Sequence, residues 1–316
     1  MSNEPKPIFL IIDGHALIYR AFHAFPPLLD QNGQVVGAMY GFLRILLSVL
    51  KQVQPTYWLV AFDHPAPTKR KLEYDFYKAN RKEMPDELKT QIPLIEEAVS
   101  KLGIPEFKLA GIEADDLIGT ISRIIDETKQ ADVRILTGDK DSFQLVNETI
   151  HVLVPNLGRK KDKNAEQMIE YNPAMVEQKM GVPPKEIIDL KALAGDHSDN
   201  IPGVPGIGDK TAVDLLQKFQ SLEAIYQALD LETDRSKEIR AGVVNKLQNG
   251  RESAYISQKL ATIDRKVEVN FMMENCKVNG YDKEEMANLL KKYGFASLLK
   301  LLPKDEFETG LQEALF

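Results

Sequence analysis

The chain is poor in the residues that would staple it covalently or anchor it in a bilayer. Its 316 residues include one cysteine, Cys276, so no internal disulfide can form. A lone cysteine suits a reducing cytoplasm, and its expected role is that of a small buried apolar residue. No apolar run approaches the roughly 20 residues that a spanning helix needs. The opening MSNEPKPIFLIIDG has too short an apolar stretch and the wrong flanks for a signal peptide. Repeats and low-complexity stretches are missing as well. Positive charge is not in surplus: 40 Lys and Arg against 47 Asp and Glu give a net charge of −7, which at first argues against a nucleic-acid partner. The remainder is ordinary, with 43% hydrophobic and 28% charged residues, enough for a large core in one or two domains.

Three apolar runs stand out because each ends in an aspartate: IFLIID at Asp13, WLVAFD at Asp63 and VRILTGD at Asp139. Lacking polar alternation, they read as strands buried on both faces of a parallel sheet. Ligands of open α/β sheets bind beyond the carboxyl ends of the strands, so these acids should converge on one edge. Strands are expected over 8–12, 57–62, 133–136 and 150–154. Helices are expected over 37–53, from Asp115 onward and over 140–146. Residues 68–103 carry no strand pattern and read as two polar helices broken near Met84–Pro85. From about Tyr171 the pattern turns helical, with one further strand expected at Val267–Phe271. The polar, basic LGRKKDKNAEQ marks the boundary, dividing an α/β core (1–160) from a helical subdomain (161–302) and a tail (303–316).

More acids accompany the first three. GIEADDLIG supplies Glu113, Asp115 and Asp116, TGDKDSFQL adds Asp141, and AGDHSDNIPG adds Asp196 and Asp199. Each alone has a bland explanation, since acids favour helix starts and Asp is common in turns. Capping does not, however, require several strands and turns to bring acids to one sheet edge. Crowded carboxylates resist joint ionisation unless cations neutralise them. Oxygen donors unaccompanied by His or Cys suit two or more Mg²⁺ or Mn²⁺ ions, the arrangement used for in-line phosphoryl transfer. Removing the nine negative charges of these acids from the net −7 leaves +2 for everything else.

Two segments look able to grip phosphates. TKRKLEYDFYKANRK (68–82) interleaves Arg70, Lys78, Arg81 and other basic residues with aromatics. IPGVPGIGDKTAVDLLQKF contains Gly203, then Gly206-Ile207-Gly208 as a tight turn, with Lys210 and Thr211 opening the next helix. Backbone N–H groups at such a helix start can hold a phosphate, and a β-branched residue at Gly208 would resist the positive φ expected there. The pattern over about 196–219 looks like a helix–hairpin–helix, a sequence-independent grip on duplex backbone.

IDGHALIYRAFHAF, EADD, TGDKD and GDHSDNIPGVPGIG, in this order, resemble the structure-specific 5′-nuclease (flap endonuclease) family, to which the 5′→3′ exonuclease domain of bacterial DNA polymerase I belongs. The resemblance covers residues 7–302. It implies a PIN-like α/β core, a helical arch at about 68–103 and a helix–three-turn–helix element in the helical subdomain. It also implies metal-dependent 5′→3′ exonuclease and flap endonuclease action near single-strand/duplex junctions, in replication and repair. Carried over by position, the metal carboxylates are Asp13, Asp63, Glu113, Asp115, Asp116, Asp139, Asp141, Asp196 and Asp199. Lys78 and Arg81 match the arch residues that approach the scissile phosphate, and Arg20 and Arg70 match further phosphate contacts. K⁺ at the hairpin, a monomeric state, and a cytoplasmic, nucleoid-associated location without a membrane partner are implied too. No polymerase segment follows Phe316, so the chain reads as a stand-alone nuclease or the N-terminal part of a longer polymerase. Rival readings are a PIN-type ribonuclease and a non-catalytic junction-binding module.

Overall fold

Strand β1 (Ile8–Asp13) buries Phe9, Leu10, Ile11 and Ile12 completely, as an apolar run without alternation should when both faces are covered. The computed structural model of the chain describes residues 6–156, 168–278 and 280–303. After β1 come α1 (Gly14–Ala24), α2 (Gly37–Val53), β2 (Tyr57–Ala61), α3 (Lys69–Glu73), α4 (Asp86–Lys89), α5 (Ile92–Lys101) and β3 (Glu106–Phe107). Next are α6 (Ala114–Thr128), β4 (Asp132–Leu136), β5 (Ile150–Pro155) and β6 (Met168–Tyr171). The six strands form one sheet in the order β3-β2-β1-β4-β5-β6. Every pairing is parallel except β5 with β6.

Alternate residues of the central strands feed two separate cores. Phe9, Ile11, Leu59, Val133 and Ile135 face α6 and the helices of the second half of the chain. Leu10, Ile12, Trp58, Val60 and Leu136 face α1, α2 and α5. Burial of each such side chain contributes about 1.5–3 kcal/mol, so the strands hold the sheet together independently of anything at its edge.

The second half is helical: α7 (Pro173–Met180), α8 (Ile187–Ala194), α9 (Asp209–Phe219), α10 (Leu222–Asp230), α11 (Ala241–Asn249), α12 (Arg251–Ala261) and α13 (Lys283–Lys292). Its last helix returns to the first half: Met286, Leu289 and Leu290 of α13 join the core around α2 and α5. Among the described residues no helix is long and apolar enough to cross a membrane. Cys276 is fully buried, as expected, and burial pushes its thiol up to about 11.

Two readings of the strand pattern differ from the structure. Val267–Phe271 is extended but unpaired: Val267, Val269 and Phe271 pack on the core while the residues between them face solvent. Their period of two was real, yet no ladder partner lies alongside among the described residues. Conversely β6 was missed, and it joins the sheet beyond the expected boundary at 160 because the antiparallel strand supplies hydrogen bonds to the exposed edge of β5. The basic stretch 157–167 and the tail from 304 onward lie outside the described residues.

Helices α8, α10 and α12 meet at a buried carboxylate. Asp189 accepts from the Leu222 N–H at 3.1 Å and from the Gln258 side-chain amide at 2.7 Å. Asp189→Ala would strand both donors in the interior, so urea unfolding should reveal a loss of roughly 2–5 kcal/mol. Asp189→Asn, which keeps one acceptor, should lose less, and equal losses for both variants would refute this role.

Candidate active site

The acids sit where the strand order reverses. β1 lies between β2 and β4, with Asp13 opposite Ala61 and Ile12 opposite Leu136, so Asp63 and Asp139 follow within a few residues on the same edge. This is the switch point of a doubly wound sheet, where adjacent crossovers diverge and leave a crevice. Asp13 also caps α1: one oxygen accepts from the Ala16 N–H at 3.1 Å and the other from the Thr137 hydroxyl at 2.7 Å. Asp63 accepts from the Ala114 N–H at 2.8 Å, which fixes the start of α6 against the end of β2. Asp139 accepts from the Asp141 N–H at 2.9 Å.

Asp13, Asp63, Asp115 and Asp139 line one cavity of about 510 Å³, with Lys78 and Arg81 on its wall. Asp139 also lines an adjoining cleft of about 1100 Å³ together with Asp141, Asp196, Arg20 and Lys191. Burial pushes Asp13 and Asp141 up to about 7, with repulsion from Asp139 adding to it in both. Burial, then Asp139 and Asp13, raise Asp115 well above the usual carboxylate range. These acids are therefore short of positive charge. Their hard oxygen donors fit a divalent cation of the Mg²⁺ or Mn²⁺ type, whose charge would relieve the repulsion. Among the described residues, though, no three acidic, histidine or cysteine side chains are gathered closely enough to surround one ion.

Basic side chains stand between them instead. Lys78 Nζ lies 2.6 Å from Glu113 and 3.5 Å from Asp199, and Arg81 reaches Asp199 at 2.5 Å. Although burial opposes the charge on Lys78, Glu113, Tyr77 and Asp199 outweigh it and hold the ammonium protonated. The Tyr77 hydroxyl sits 3.2 Å from Glu113 and 3.3 Å from Asp199. Lys191 of α8 bridges Asp141 and Asp196, and its pairing draws Asp196 down to about 2 against the effect of burial. Sequence reading missed Lys191 and took Tyr77 only as one of the interleaved aromatics of the 68–82 segment. Lys191 lies five residues before Asp196 in an apolar helix, and only the fold shows that it turns toward the acids.

Two expected site residues are committed elsewhere. Arg70 grips Asp116 with both guanidinium nitrogens, at 2.7 and 2.8 Å, and donates to the Thr262 carbonyl. Asp116 also accepts from the Asp264 N–H at 2.8 Å. This pair ties α3, α6 and the end of α12 together and lines a separate cavity, although Arg70 also lies 3.6 Å from Glu113 and so adjoins the Lys78 network. Arg20 does line the larger cleft, where it donates to the Pro155 carbonyl, and its buried Nε has no partner among the described residues.

The segment 68–103 is not the pair of polar helices expected. It holds a five-residue α3, a four-residue α4 and an amphipathic α5 that buries Ile95, Ala98 and Val99 in the core. Between α3 and α4 the chain runs as turns that lie down on the acids, with Tyr77 buried. Arg70, Lys78 and Arg81, read from sequence as phosphate-gripping residues, are counter-ions for carboxylates here. Lys78 has a left-handed φ of +55°, an uncommon conformation for a side-chain-bearing residue and one that clusters at functional sites.

The hairpin alternates anchors with exposed backbone. Val204 and Ile207 are buried, whereas Gly206, Gly208 and Lys210 are exposed and Thr211 is half-buried. Gly203 is an anchor too: its N–H donates to Ser257 and its carbonyl accepts from Ser253. Ile207, through its buried side chain, and Gly203, through its backbone, therefore support the loop. The Gly206 carbonyl accepts from Lys246 Nζ at 2.9 Å. Gly208 has φ −107°, not the positive value expected, because it caps α9 in an extended conformation. Gly208 and Asp209 also line the larger cleft, so hairpin and acids share one depression.

A glycine scan would separate these roles. A Cβ on Gly203 would stand 2.2 Å from the Gly195 nitrogen, whereas one on Gly208 meets nothing within 4 Å. Gly203→Ala should lower the thermal midpoint by several degrees, consistent with a cost of about 2 kcal/mol or more. Gly208→Ala should leave it unchanged, and equal shifts would overturn this assignment.

The raised carboxylates set a pH dependence. The unfolded chain releases these protons near pH 4, but the metal-free folded protein keeps them until about 7. The folded state thus binds more protons, and this contribution to stability is lost as pH rises through 7. His15, held below its usual value by burial, works in the opposite sense only below about 6.5. In EDTA the urea midpoint should therefore fall from about pH 6.5 to about pH 8, and Mg²⁺ should restore it. A midpoint that is flat or rising in EDTA would contradict the assignment.

Comparison with known proteins agrees with this geometry. Residues 8–181 match the 5′–3′ exonuclease N-terminal resolvase-like domain, and residues 182–284 match the 5′–3′ exonuclease C-terminal SAM fold. DNA polymerase I of Caldicellulosiruptor bescii is 40% identical over 297 residues, covering 94% of this chain and 34% of that protein. DNA polymerase I of Bacillus subtilis is 35% identical over 315 residues, covering 100% of this chain and again 34% of its own length. The chain thus spans about a third of these curated relatives. Among solved structures, a T5 5′-exonuclease with bound zinc aligns with a TM-score of 0.62 at 20% identity, covering 93% of this chain and 96% of that one. The catalytic core of Rad2 in complex with a DNA substrate aligns at 0.54 and 18% identity, covering 95% and 93%. Because the two domain models together match residues 8–284, nearly the whole chain, it belongs to the 5′–3′ exonuclease family of nucleases.

Proposed function

We propose that this chain is a Mg²⁺-dependent 5′ nuclease that cuts DNA phosphodiester bonds near single-strand/duplex junctions. The observation that carries this reading is the convergence of Asp13, Asp63, Asp115 and Asp139 on one cavity beside the basic Lys78 and Arg81. Asp141 and Asp196, with Lys191 between them, extend the acidic floor into the cleft shared with the hairpin. Divalent ions held there would activate the attacking water and offset charge on the departing 3′ oxygen. Related structures carry the partners this requires: one is of a T5 flap endonuclease with DNA and metal ions, another of Rad2 with a DNA substrate.

The chain's own residues supply the rest. Lys78 and Arg81 neutralise Glu113 and Asp199 in the resting protein, and an incoming phosphate offers them an alternative anion. As negative charge grows on that phosphate, the fixed ammonium of Lys78 stabilises it. Arg20, whose side chain lines the larger cleft, is suited to a neighbouring backbone phosphate. The exposed start of α9, with Gly208, Lys210 and half-buried Thr211, holds duplex backbone without reading sequence. K⁺ would join that grip at the hairpin. The reading extends to a monomer acting in cytoplasm and nucleoid, as the nuclease part of a polymerase about three times longer, which the polymerase relatives support.

Single-turnover cleavage of a 5′-flap duplex tests this reading. EDTA should abolish cleavage, and Asp139→Asn should reduce it beyond detection while Ca²⁺-supported binding survives. Lys78→Ala should slow the step by on the order of a hundredfold with a much smaller loss of affinity. Turnover of Asp139→Asn near the wild-type rate, or preferential cleavage of an RNA flap, would sink the proposal.

A further inference from the structure

Ion pairs are not all that holds the Lys78 loop in place. Residues 76–81 also exchange neutral hydrogen bonds with the tight turn at 196–201. The Asn200 side-chain amide donates to the Phe76 carbonyl at 2.7 Å, and the Asn80 amide donates to the His197 carbonyl at 2.6 Å. Between them the Lys78 N–H donates to the Asp199 carbonyl at 2.9 Å. The receiving turn is closed by Asp196 and Ile201, whose N–H and C=O groups pair in both directions at 2.8 Å. It is therefore a stiff platform, and the basic loop is clasped to it from both ends.

The two residues at the middle of the clasp share an unusual backbone. Lys78 has φ +55° and Asn200 has φ +56°. Asparagine tolerates this left-handed region better than other side-chain-bearing residues, and its amide is a donor. Glycine would keep the conformation and lose the donor. Aspartate would keep the shape but turn an acceptor toward the Phe76 carbonyl.

The clasp differs from the ion pairs in what catalysis would do to it. On the nuclease reading, on which this inference rests, substrate phosphate and cations compete for both partners of Lys78–Glu113 and Arg81–Asp199. The amide-to-carbonyl bonds face no such competitor and persist. We infer that Asn200, assisted by Asn80, is a positioning residue that keeps Lys78 at a fixed height over the carboxylates after its ion pairs are given up. Neither asparagine touches the reacting phosphate in this account; both act through Lys78.

Asn200→Gly, Asn200→Asp and Asn80→Ala should be made in the full chain, in the wild-type and Lys78→Ala backgrounds. Each protein is then assayed for single-turnover flap cleavage in Mg²⁺, flap binding in Ca²⁺, and thermal midpoint. In the wild-type background the Asn200 variants should cut roughly tenfold to a hundredfold more slowly, as expected when a catalytic group is displaced by about 1 Å. Flap affinity should stay within about twofold. Asn80→Ala, at an exposed residue, should show the same pattern with smaller amplitude. In the Lys78→Ala background none of the three should slow cleavage further, because the group they position is gone. Losses that add to that of Lys78→Ala would overturn the inference, since a merely structural defect behaves that way. A slow Lys78→Ala beside a fast Asn200→Gly overturns the clasp alone. A normal rate for Lys78→Ala overturns the role of Lys78 in the nuclease reading, and the clasp with it.

Discussion

Everything at this site depends on one electrostatic constraint: carboxylates packed at the carboxyl ends of parallel strands must find positive charge. The strands are apolar because both faces are covered, so polar chemistry is confined to their ends. Asp13, Asp63 and Asp139 are thereby placed on one edge, and α6 brings Asp115 to the same cavity. Burial and mutual repulsion raise Asp13, Asp115 and Asp141. Glu113 and Asp196 are instead drawn down, against the effect of burial, by the basic side chains they face: Lys78 and Arg70 for Glu113, Lys191 for Asp196.

Charge balance also explains the course of the segment between β2 and α5. Lys78 and Arg81 would gain little as exposed surface charges. Lys78 turns inward and Arg81, itself still exposed, reaches in beside it, so that they satisfy Glu113 and Asp199, which are only a few per cent exposed. That bargain requires turns rather than a regular helix, a left-handed residue at Lys78, and a platform at 196–201 to receive the loop. The same acids thus serve the resting fold and remain available to cations when a phosphate takes the basic partners.

Not every acid at the edge belongs to the cavity. The Arg70–Asp116 fork spends an arginine and an aspartate on joining α3, α6 and the end of α12. Breaking a buried pair of this kind strands a charge in the interior, so its cost falls on stability before it reaches chemistry. The hairpin divides its labour in the same manner. Gly203, Val204 and Ile207 hold the loop to α8 and α12, and this leaves Gly206, Gly208 and Lys210 outward.

Much of this was legible in the sequence. Strands ending in Asp, the helix over 37–53, the acids at the start of α6 and the glycine hairpin before α9 all follow from local pattern, because burial on both faces, capping and turn chemistry act over a few residues. What tertiary structure alone decided concerns pairing across the fold. Val267–Phe271 alternates like a strand yet finds no ladder among the described residues, whereas β6 finds one, since a strand exists only where a partner edge is free. Asp115 and Asp116 are adjacent in sequence, but a helix turns them about 100° apart, sending one to the cavity and the other to Arg70. Lys191 carries no local signal, because its meaning depends on two acids brought to it by other parts of the chain. Sequence determined which groups are present and how each segment is shaped; only the fold could assign each charge its partner, since Coulomb energy depends on distance in space rather than along the chain.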